Sequence, residues 1–360
     1  MLRPAKNISK FLLSTPARFV GEYETEDILV AHAWDGLMGP RSRASEVYEG
    51  PTFRTYVVVA VELAEEESGD KEIRQARDVH WLGDFFAVCM GVLFGKQFDH
   101  HGAVETEGFY CLPAYRQIVP VYMHSLPPFN GTPRTDTGIS LNFEELARIK
   151  TVLHQKAENH RAAEMLATAG KFYLRALRLF DEQPDVAFLD LVTTGEVLSN
   201  YYTYPDDKLI DSETQNVLSE IQATLPDGDK KSRALRQRML QVKRRFTLTV
   251  RELLNSAYFE NSPCTHPAGR ITLVNVEQAI KAAYDLRSKY VHTGHNFAHI
   301  LSMGEHRLEE KLIGTPVCSS REMEKLLSRA PTLLGLERMM RFALIRFLHL
   351  EICRIDDKLN

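Results

Sequence analysis

The sequence predicts an α+β N-terminal domain followed by an all-α helical bundle. Residues 55–61 are rich in β-branched side chains, which is typical of a buried strand. Residues 125–138 hold three prolines and two glycines, the strongest linker signal in the chain. Beyond this segment, apolar side chains recur at helical spacing almost to the end. At 360 residues the chain is long enough for two domains, which we expect at 1–138 and 139–360.

The first domain contains further signals of mixed structure. A helix is predicted at 76–95, and 109–123 is strand-like but interrupted by two prolines. The first 21 residues hold four basic residues and no acidic one, which favours a solvated N-terminal arm, with an organellar transit peptide as the alternative. No apolar stretch approaches the roughly 18 residues of a membrane span, so a cytoplasmic protein without membrane contact is expected.

The second domain is predicted to be helical throughout. Helices are expected at 142–155, 162–180, 186–202, 212–224, 230–258, 276–291, 299–312 and 320–355, the last broken at Pro331. Asn142 and Glu145 have the spacing of a capping box, and Pro184 suits a first helical turn. Residues 271–274 are the one strand-like piece of this half.

Composition excludes several classes of function. A formal net charge of −4 excludes a generally basic, histone-like binder but leaves room for a local basic patch. The five cysteines are scattered and form no C-x-x-C, so free thiols are expected rather than a disulfide scaffold or zinc ribbon. The chain has no P-loop and no G-x-G-x-x-G, so ATP or dinucleotide binding is not expected and no cofactor is predicted. It also has no G-x-S-x-G nucleophile elbow.

The segment that suggests chemistry reads Tyr-Asp-Leu-Arg-Ser-Lys-Tyr-Val-His-Thr-Gly over residues 284–294. Asn275 and Gln278 have the spacing to cap the helix that precedes it, and Gly294 can end that helix. Arg287 and His292 then lie in its last turns. The predicted buried face comprises Val276, Ala279, Ile280, Ala283 and Leu286.

This segment resembles the R-x4–6-H signature of the HEPN superfamily. More narrowly, it is similar to the HEPN-like domain of ApeA-type bacterial antiphage proteins, over roughly residues 168–351. In that family a glycine directly follows the histidine, whereas Thr293 stands there in this chain. The resemblance implies a HEPN-type helical bundle and a metal-independent endoribonuclease of abortive-infection (antiphage) defence. It would cleave host RNA, with tRNA as a candidate, when a phage-derived trigger reaches the N-terminal domain.

The resemblance also implies roles for the two motif residues. His292 would be the general acid and base, and Arg287 would hold the charge that develops on the phosphate, as their chemistry allows. Five residues along a regular helix correspond to about 140° of rotation. On geometry, either the helix loosens before Gly294 or the Arg287 side chain wraps around it. The resemblance implies a third arrangement, a homodimer of HEPN domains in which both Arg–His pairs meet at a composite site.

Other residues are secondary candidates for this site. Ser288 and Tyr290 could touch the RNA, and Glu196 either orients Arg287 or lies at a helix edge facing water. An Arg–His pair at a helix end can also be simply a favourable cap of the helix dipole. Two further alternatives are a non-catalytic HEPN-fold binding or dimerisation module and the toxin half of a toxin–antitoxin pair.

A strongly basic segment lies upstream of the motif. Residues 230–251 hold nine basic residues and no acidic one, and are expected to lie on one helix that attracts RNA or simply faces water. The candidate RNA-binding residues are Lys230, Lys231, Arg233, Arg236, Arg238, Lys243, Arg244 and Arg245. The side chains predicted to be buried there are those of Leu235, Met239, Val242 and Phe246.

The histidines do not predict a metal site. His292, His295 and His299 have suitable spacing, but Gly294 is expected to interrupt the helix between them. His100 and His101 are predicted to be loop residues, and so are the residues around Cys264 and His266.

Overall fold

A six-stranded antiparallel sheet forms the first part of the computed structural model. The structure describes residues 8–33, 54–62, 80–106, 109–110, 133–210, 212–238, 242–302, 308–318 and 320–353. The strands are β1 (Ile8–Thr15), β2 (Tyr23–Glu24), β3 (Ile28–His32), β4 (Thr55–Glu62), β5 (Asp99–Thr106) and β6 (Phe109–Tyr110). Their order across the sheet is β2-β3-β4-β1-β5-β6, so β1 lies at its centre.

The predicted solvated N-terminal arm is wrong, because β1 is a central strand. Leu13 is fully buried and pairs in register with Val57 on β4 and with His100 on β5. Lys10 does not mark a solvated arm either, since its Nζ lies 2.5 Å from Glu105 Oε2 across the sheet. The prediction relied on the number of charged residues and overlooked the alternation of buried and half-buried residues at the start of β1.

Three other expectations for residues 1–138 are confirmed wholly or in part, and one is wrong. The predicted strand at 55–61 is β4, and the predicted helix at 76–95 is α1 (His80–Phe94), whose first four predicted residues lie outside the described ranges. Of the strand-like 109–123, β6 is described and the rest is not. His100 and His101 belong to β5 and not to a loop.

Helices make up the second part. They are α2 (Lys150–Leu153), α3 (His160–Leu179), α4 (Pro184–Ser199), α5 (Asp206–Leu209), α6 (Ser212–Thr224), α7 (Gly228–Arg238), α8 (Val242–Leu253), α9 (Ser256–Glu260), α10 (Val276–Thr293), α11 (Ala298–Leu301), α12 (Arg321–Leu327) and α13 (Leu333–Glu351). Short 3₁₀ helices occur at Phe143–Ile149 and Pro267–Gly269. Pro184 starts α4 as predicted, and the predicted break at Pro331 separates α12 from α13.

Several predicted helices differ from the structure. The helix at 142–155 is a 3₁₀ helix followed by α2. Asn142 caps it by accepting from the Glu144 N–H at 3.0 Å, while the Glu145 carboxylate accepts from Ser140 instead of completing a capping box. The strand-like piece at 271–274 forms no strand.

The helix predicted at 299–312 is also wrong in its second half, since 308–312 is not helical. Glu310 explains this departure. Its backbone N–H donates to Gly269 and its carbonyl accepts from Thr332, so the chain there is tied to other segments.

α1 lies between the sheet and the helical bundle. It contacts β1 and β5 on one side and α3 and α13 on the other. This position explains why eleven of its fifteen residues are buried and why its apolar residues do not keep to one stripe. The hydrophobic core continues from the sheet through α1 into the bundle.

A division at residue 138 into two domains stays a prediction.

A cluster of buried charges joins the two parts. Arg134, in the segment predicted to be a linker, donates from both terminal nitrogens to Glu337 on α13, at 3.0 and 2.7 Å. The Tyr173 hydroxyl donates to the same carboxylate at 2.6 Å. Arg341 donates from Nε and Nη2 to the carbonyls of Val92 and Leu93 at the end of α1. These carbonyls are among those that a helix end leaves without partners.

Charges balance within this cluster. Among the described residues, the three guanidinium groups of Arg134, Arg338 and Arg341 face the three carboxylates of Asp136, Glu310 and Glu337. Lys96 is also fully buried beside them, and burial, with Arg134 and Arg341 nearby, lowers its pKa to about 6. Burial therefore shifts Lys96 towards its neutral form, which reduces the excess of positive charge in the cluster.

Two further findings bear on the sequence expectations. Cys89, Cys264, Cys318 and Cys353 are free thiols, and Cys111 lies outside the described residues. In the part of the chain that is described, every helix is too short or too polar to cross a membrane.

Replacing Glu337 by glutamine tests the buried cluster. Glu337→Gln leaves Arg134 without its main counter-charge in a buried place, and we expect the free energy of unfolding to fall by about 3–5 kcal/mol in urea denaturation. The matched control is Glu322→Gln, which removes an exposed carboxylate paired with Lys289 and should change stability by less than about 1 kcal/mol. Equal losses in both variants would contradict a dominant role for the cluster.

Candidate functional site

The predicted motif lies on α10 and the glycine that follows it. The whole predicted apolar face of α10 is buried, as expected. Gly294 ends the helix with a φ of +67°, and its N–H donates to the Tyr290 carbonyl at 2.8 Å, so the predicted C-terminal cap is confirmed. The predicted capping box is wrong, because the Asn275 side chain accepts from the Thr272 N–H outside the helix.

Arg287 forms an ion pair with Glu196 on α4. Its Nη2 lies 3.3 Å from Glu196 Oε2, so the two sequence candidates are brought together. The guanidinium carbon also lies 5.9 Å from the centre of the Tyr284 ring, one turn earlier on α10. The Arg287 side chain keeps 30% of its surface exposed, whereas that of Glu196 keeps 15%. Arg287 is therefore oriented by the protein and still accessible from solvent.

The backbone of α4 makes room for this arrangement. A Cβ atom at Gly195 would lie 2.5 Å from the ring of Phe246 on α8, so only glycine allows this close approach. Phe246 in turn packs 5.6 Å from Tyr284, between centroids. Three helices thus meet at the Glu196 carboxylate, and their packing fixes its position.

Tyr284 is a site residue that the sequence analysis did not single out. Burial raises the pKa of its hydroxyl, and the negative charge of Glu196 and a hydrogen bond to that carboxylate raise it further, while Arg287 acts in the opposite direction. Its position three residues before Arg287 is the spacing at which helical side chains touch, and this was the available signal.

His292 lies apart from the ion pair. It is exposed, as are all residues from 291 to 296. Because α10 stays helical through Thr293, the helix does not loosen before Gly294, and Arg287 and His292 remain about 140° apart around its axis. The first of the three predicted arrangements is therefore excluded.

The two lesser candidates differ in their surroundings. Ser288 is half-buried. Tyr290 is also half-buried and packs edge-to-face on Phe297, with 6.2 Å between ring centres. Phe297 and Ala298 donate their backbone N–H groups to Asp185, which turns the chain back onto α4. The Tyr290 ring therefore packs against this turn and helps to stabilise it.

The described part of the basic segment lies on α7 and α8, and residues 239–241 between them lie outside the described residues. Lys230, Lys231 and Arg233 are exposed on α7, while the side chains of Arg236 and Arg238 lie outside the description. On the predicted buried side, Leu235 and Val242 are exposed, Phe246 is buried, and Met239 lies outside the described residues. The predicted buried face is therefore confirmed at Phe246 and wrong at Leu235 and Val242.

The cations of α8 are engaged in contacts with neighbouring elements. Lys243 Nζ lies 2.5 Å from Asp285 Oδ1 on α10, and Arg244 donates to the Leu209 carbonyl at 2.8 Å. Arg245 donates to the Asn200 side chain at the end of α4. These contacts leave the α7 cations as the more accessible part of the basic segment.

The sequence predicts no metal site among the histidines at and after the end of α10. In the described ranges, His292, His295 and His299 do not form a metal-binding group, whereas His80, Asp84 and His100 do lie together. His266 caps the 3₁₀ helix at Pro267–Gly269 through its Nδ1.

Comparisons with protein-family models, with curated proteins and with solved structures each found no match. The HEPN resemblance therefore stays a prediction from the motif and its helix.

The pKa of Tyr284 offers a direct test of the site's electrostatics. In Glu196→Gln the carboxylate charge is lost, so we expect the pKa of Tyr284 to fall in a ¹³C-tyrosine NMR titration, assigned with Tyr284→Phe. Glu277→Gln, which removes a solvent-exposed carboxylate of α10 paired with Lys281, should leave it unchanged. A Tyr284 pKa that is the same in Glu196→Gln and in the wild type would mean that Glu196 does not contact this hydroxyl in solution.

Proposed function

We propose that this protein is a metal-independent endoribonuclease of the HEPN type. The observation that carries the proposal is that Arg287 is held by Glu196 and Tyr284 yet keeps 30% of its side chain exposed, five residues before an exposed His292. An oriented guanidinium group provides fixed donors for phosphate oxygens. An exposed imidazole can exchange protons near neutral pH.

The proposed reaction requires three groups around one phosphodiester. A base removes the 2′-OH proton, the resulting alkoxide attacks phosphorus, and an acid protonates the 5′ oxygen as that bond breaks. His292 supplies the proton transfers, and Arg287 neutralises the charge that develops on the phosphoryl oxygens. Glu196 is a positioning residue, since it acts on the RNA only through Arg287.

The separation of the two residues around α10 favours a homodimer. One histidine cannot provide a base and an acid on opposite sides of the same phosphate at once. Two copies that meet along α10 would bring two Arg287 and two His292 side chains to one groove. Residues 291–296 are all exposed, which leaves the end of α10 accessible for such a contact.

The accessible cations of α7 would guide RNA towards this groove. Lys230, Lys231 and Arg233 are exposed, and α7 is followed directly by α8, which packs against α10. A cationic surface of this kind raises the local concentration of a polyanion without reading its sequence. The biological setting we propose is antiphage defence, with host RNA as substrate, tRNA as a candidate and the N-terminal part as receiver of the trigger.

His292→Ala is the decisive variant for catalysis. We expect RNA cleavage in the presence of EDTA to fall by about 10²- to 10⁴-fold, because proton transfer loses its carrier. His295→Ala removes another exposed histidine of residues 291–296 that lies outside the motif. This variant should cleave RNA at the wild-type rate.

Three outcomes would reject parts of this proposal. Equal cleavage by His292→Ala and wild type would reject His292 as the acid and base. Cleavage that requires an added metal ion would reject the mechanism. No cleavage by the wild type would favour a HEPN-fold binding or dimerisation module.

A further inference from the structure

Three potential metal ligands lie together where α1 starts beside β5. Among the residues that the structure describes, His80, Asp84 and His100 form the one group of three such side chains whose ligand atoms all lie within 4.8 Å of one another. His80 and Asp84 are four residues apart on α1, so they lie on the same face of this helix. His100 comes from the neighbouring strand.

The His100 imidazole is held in place by its surroundings. Its side chain is only 2% exposed, and its Nε2 is buried without a hydrogen-bond partner in the described structure. The ring lies directly over Gly83, where a Cβ atom would come within 2.1 Å of Nε2. Phe11 packs against its edge at 5.8 Å between ring centres. A buried imidazole with a single polar partner is thus fixed beside two exposed potential ligands.

The distance between two of the three potential ligands matches that expected for a shared cation. His100 Nδ1 lies 3.1 Å from Asp84 Oδ1. Two ligands of a tetrahedral zinc ion lie about 3.3 Å apart, because each is about 2.0–2.1 Å from the metal. The His80 and His100 rings are perpendicular, with 4.6 Å between their centres.

The electrostatics of the group also favour a cation. Asp84 contributes a carboxylate whose Oδ1 faces His100, so the group contains an acidic side chain that can neutralise part of a cation's charge. The positive charge of Arg178 also acts on Asp84. It is itself paired with Asp99, whose Oδ1 lies 2.9 Å from Arg178 Nε, so its repulsion of a metal ion is compensated.

We propose that His80, Asp84 and His100 bind a divalent transition-metal ion of the zinc class. Two imidazoles and a carboxylate are ligands that suit zinc and its neighbours rather than calcium or magnesium. Because His80 and Asp84 are exposed, at least one coordination position faces solvent. The ion would tie the first turn of α1 to β5. The site shares no residue with the Arg287–Glu196 pair or with His292, so its test is independent of the ribonuclease proposal.

Zinc titration of the full-length, chelator-treated protein by calorimetry tests the site. We expect one zinc ion per chain, with an affinity lowered by about tenfold or more in Asp84→Asn and in His80→Ala, both exposed positions where folding is not at risk. His295→Ala is the matched control and should bind zinc as the wild type does. Absence of binding to the wild type, or unchanged binding in both ligand variants, would overturn the proposal.

A second readout uses the tryptophan beside His80. Trp81 is half exposed, and bound Co²⁺ should quench its fluorescence in a Trp34→Phe background, where it is the remaining tryptophan. Adding Gly83→Ala keeps all three ligands but displaces the His100 ring, so quenching should require at least tenfold more Co²⁺. Quenching at the same Co²⁺ concentration in both proteins would contradict a metal held by His100.

Discussion

The buried ion pair between Arg134 and Glu337 is the interaction on which the rest of the structure depends. It lies where the sheet, α1 and the helical bundle come together, and it fixes α13 as the central helix of the molecule. A charge without a counter-charge in such a place would cost several kcal/mol, so loss of either partner should destabilise the fold strongly. Arg341, on the next turn of α13, extends the same cluster to the carbonyls at the end of α1.

The candidate site depends on the packing around α13, because α4 connects α13 to α10. α13 packs against α3, α4 and α8, and α4 carries Glu196 to α10. Packing at Gly195 and Phe246 then decides where the carboxylate lies, and the carboxylate decides where Arg287 points. The orientation of one arginine is thus the result of packing among four helices. His292 is not held in this way, because it lies in the exposed segment beyond the packed part of α10.

Sequence reasoning worked where periodicity was strong and failed where long-range contacts decided the outcome. The buried face of α10, its end at Gly294 and the strand β4 follow from local spacing, and so they were predictable. β1 was missed because its burial comes from two partner strands far along the chain, while Lys10 and the basic residues on either side of the strand suggested a solvated arm. The segment around Arg134 reads as a linker, and only Glu337, about 200 residues later, explains its burial.

The same distinction applies to the site. The Arg287 and His292 pair could be found from its motif, and Glu196 from its position on an apolar stretch, although their contact could not be derived from spacing. Tyr284 was missed because a tyrosine on a buried face is ordinary until a carboxylate lies beside it. His80, Asp84 and His100 were not grouped because the pairing of β5 with β1 and its packing on α1 bring them together.

The central claim is that two copies of this chain build one ribonuclease groove from Arg287 and His292. An experimental structure of the protein in complex with an uncleavable RNA analogue tests it most directly. The account predicts a two-fold dimer in which both Arg287 and both His292 side chains line one groove around a phosphate. A dimer with the two pairs on separate faces, or a monomer with the RNA analogue bound at Arg287 and His292, would contradict it.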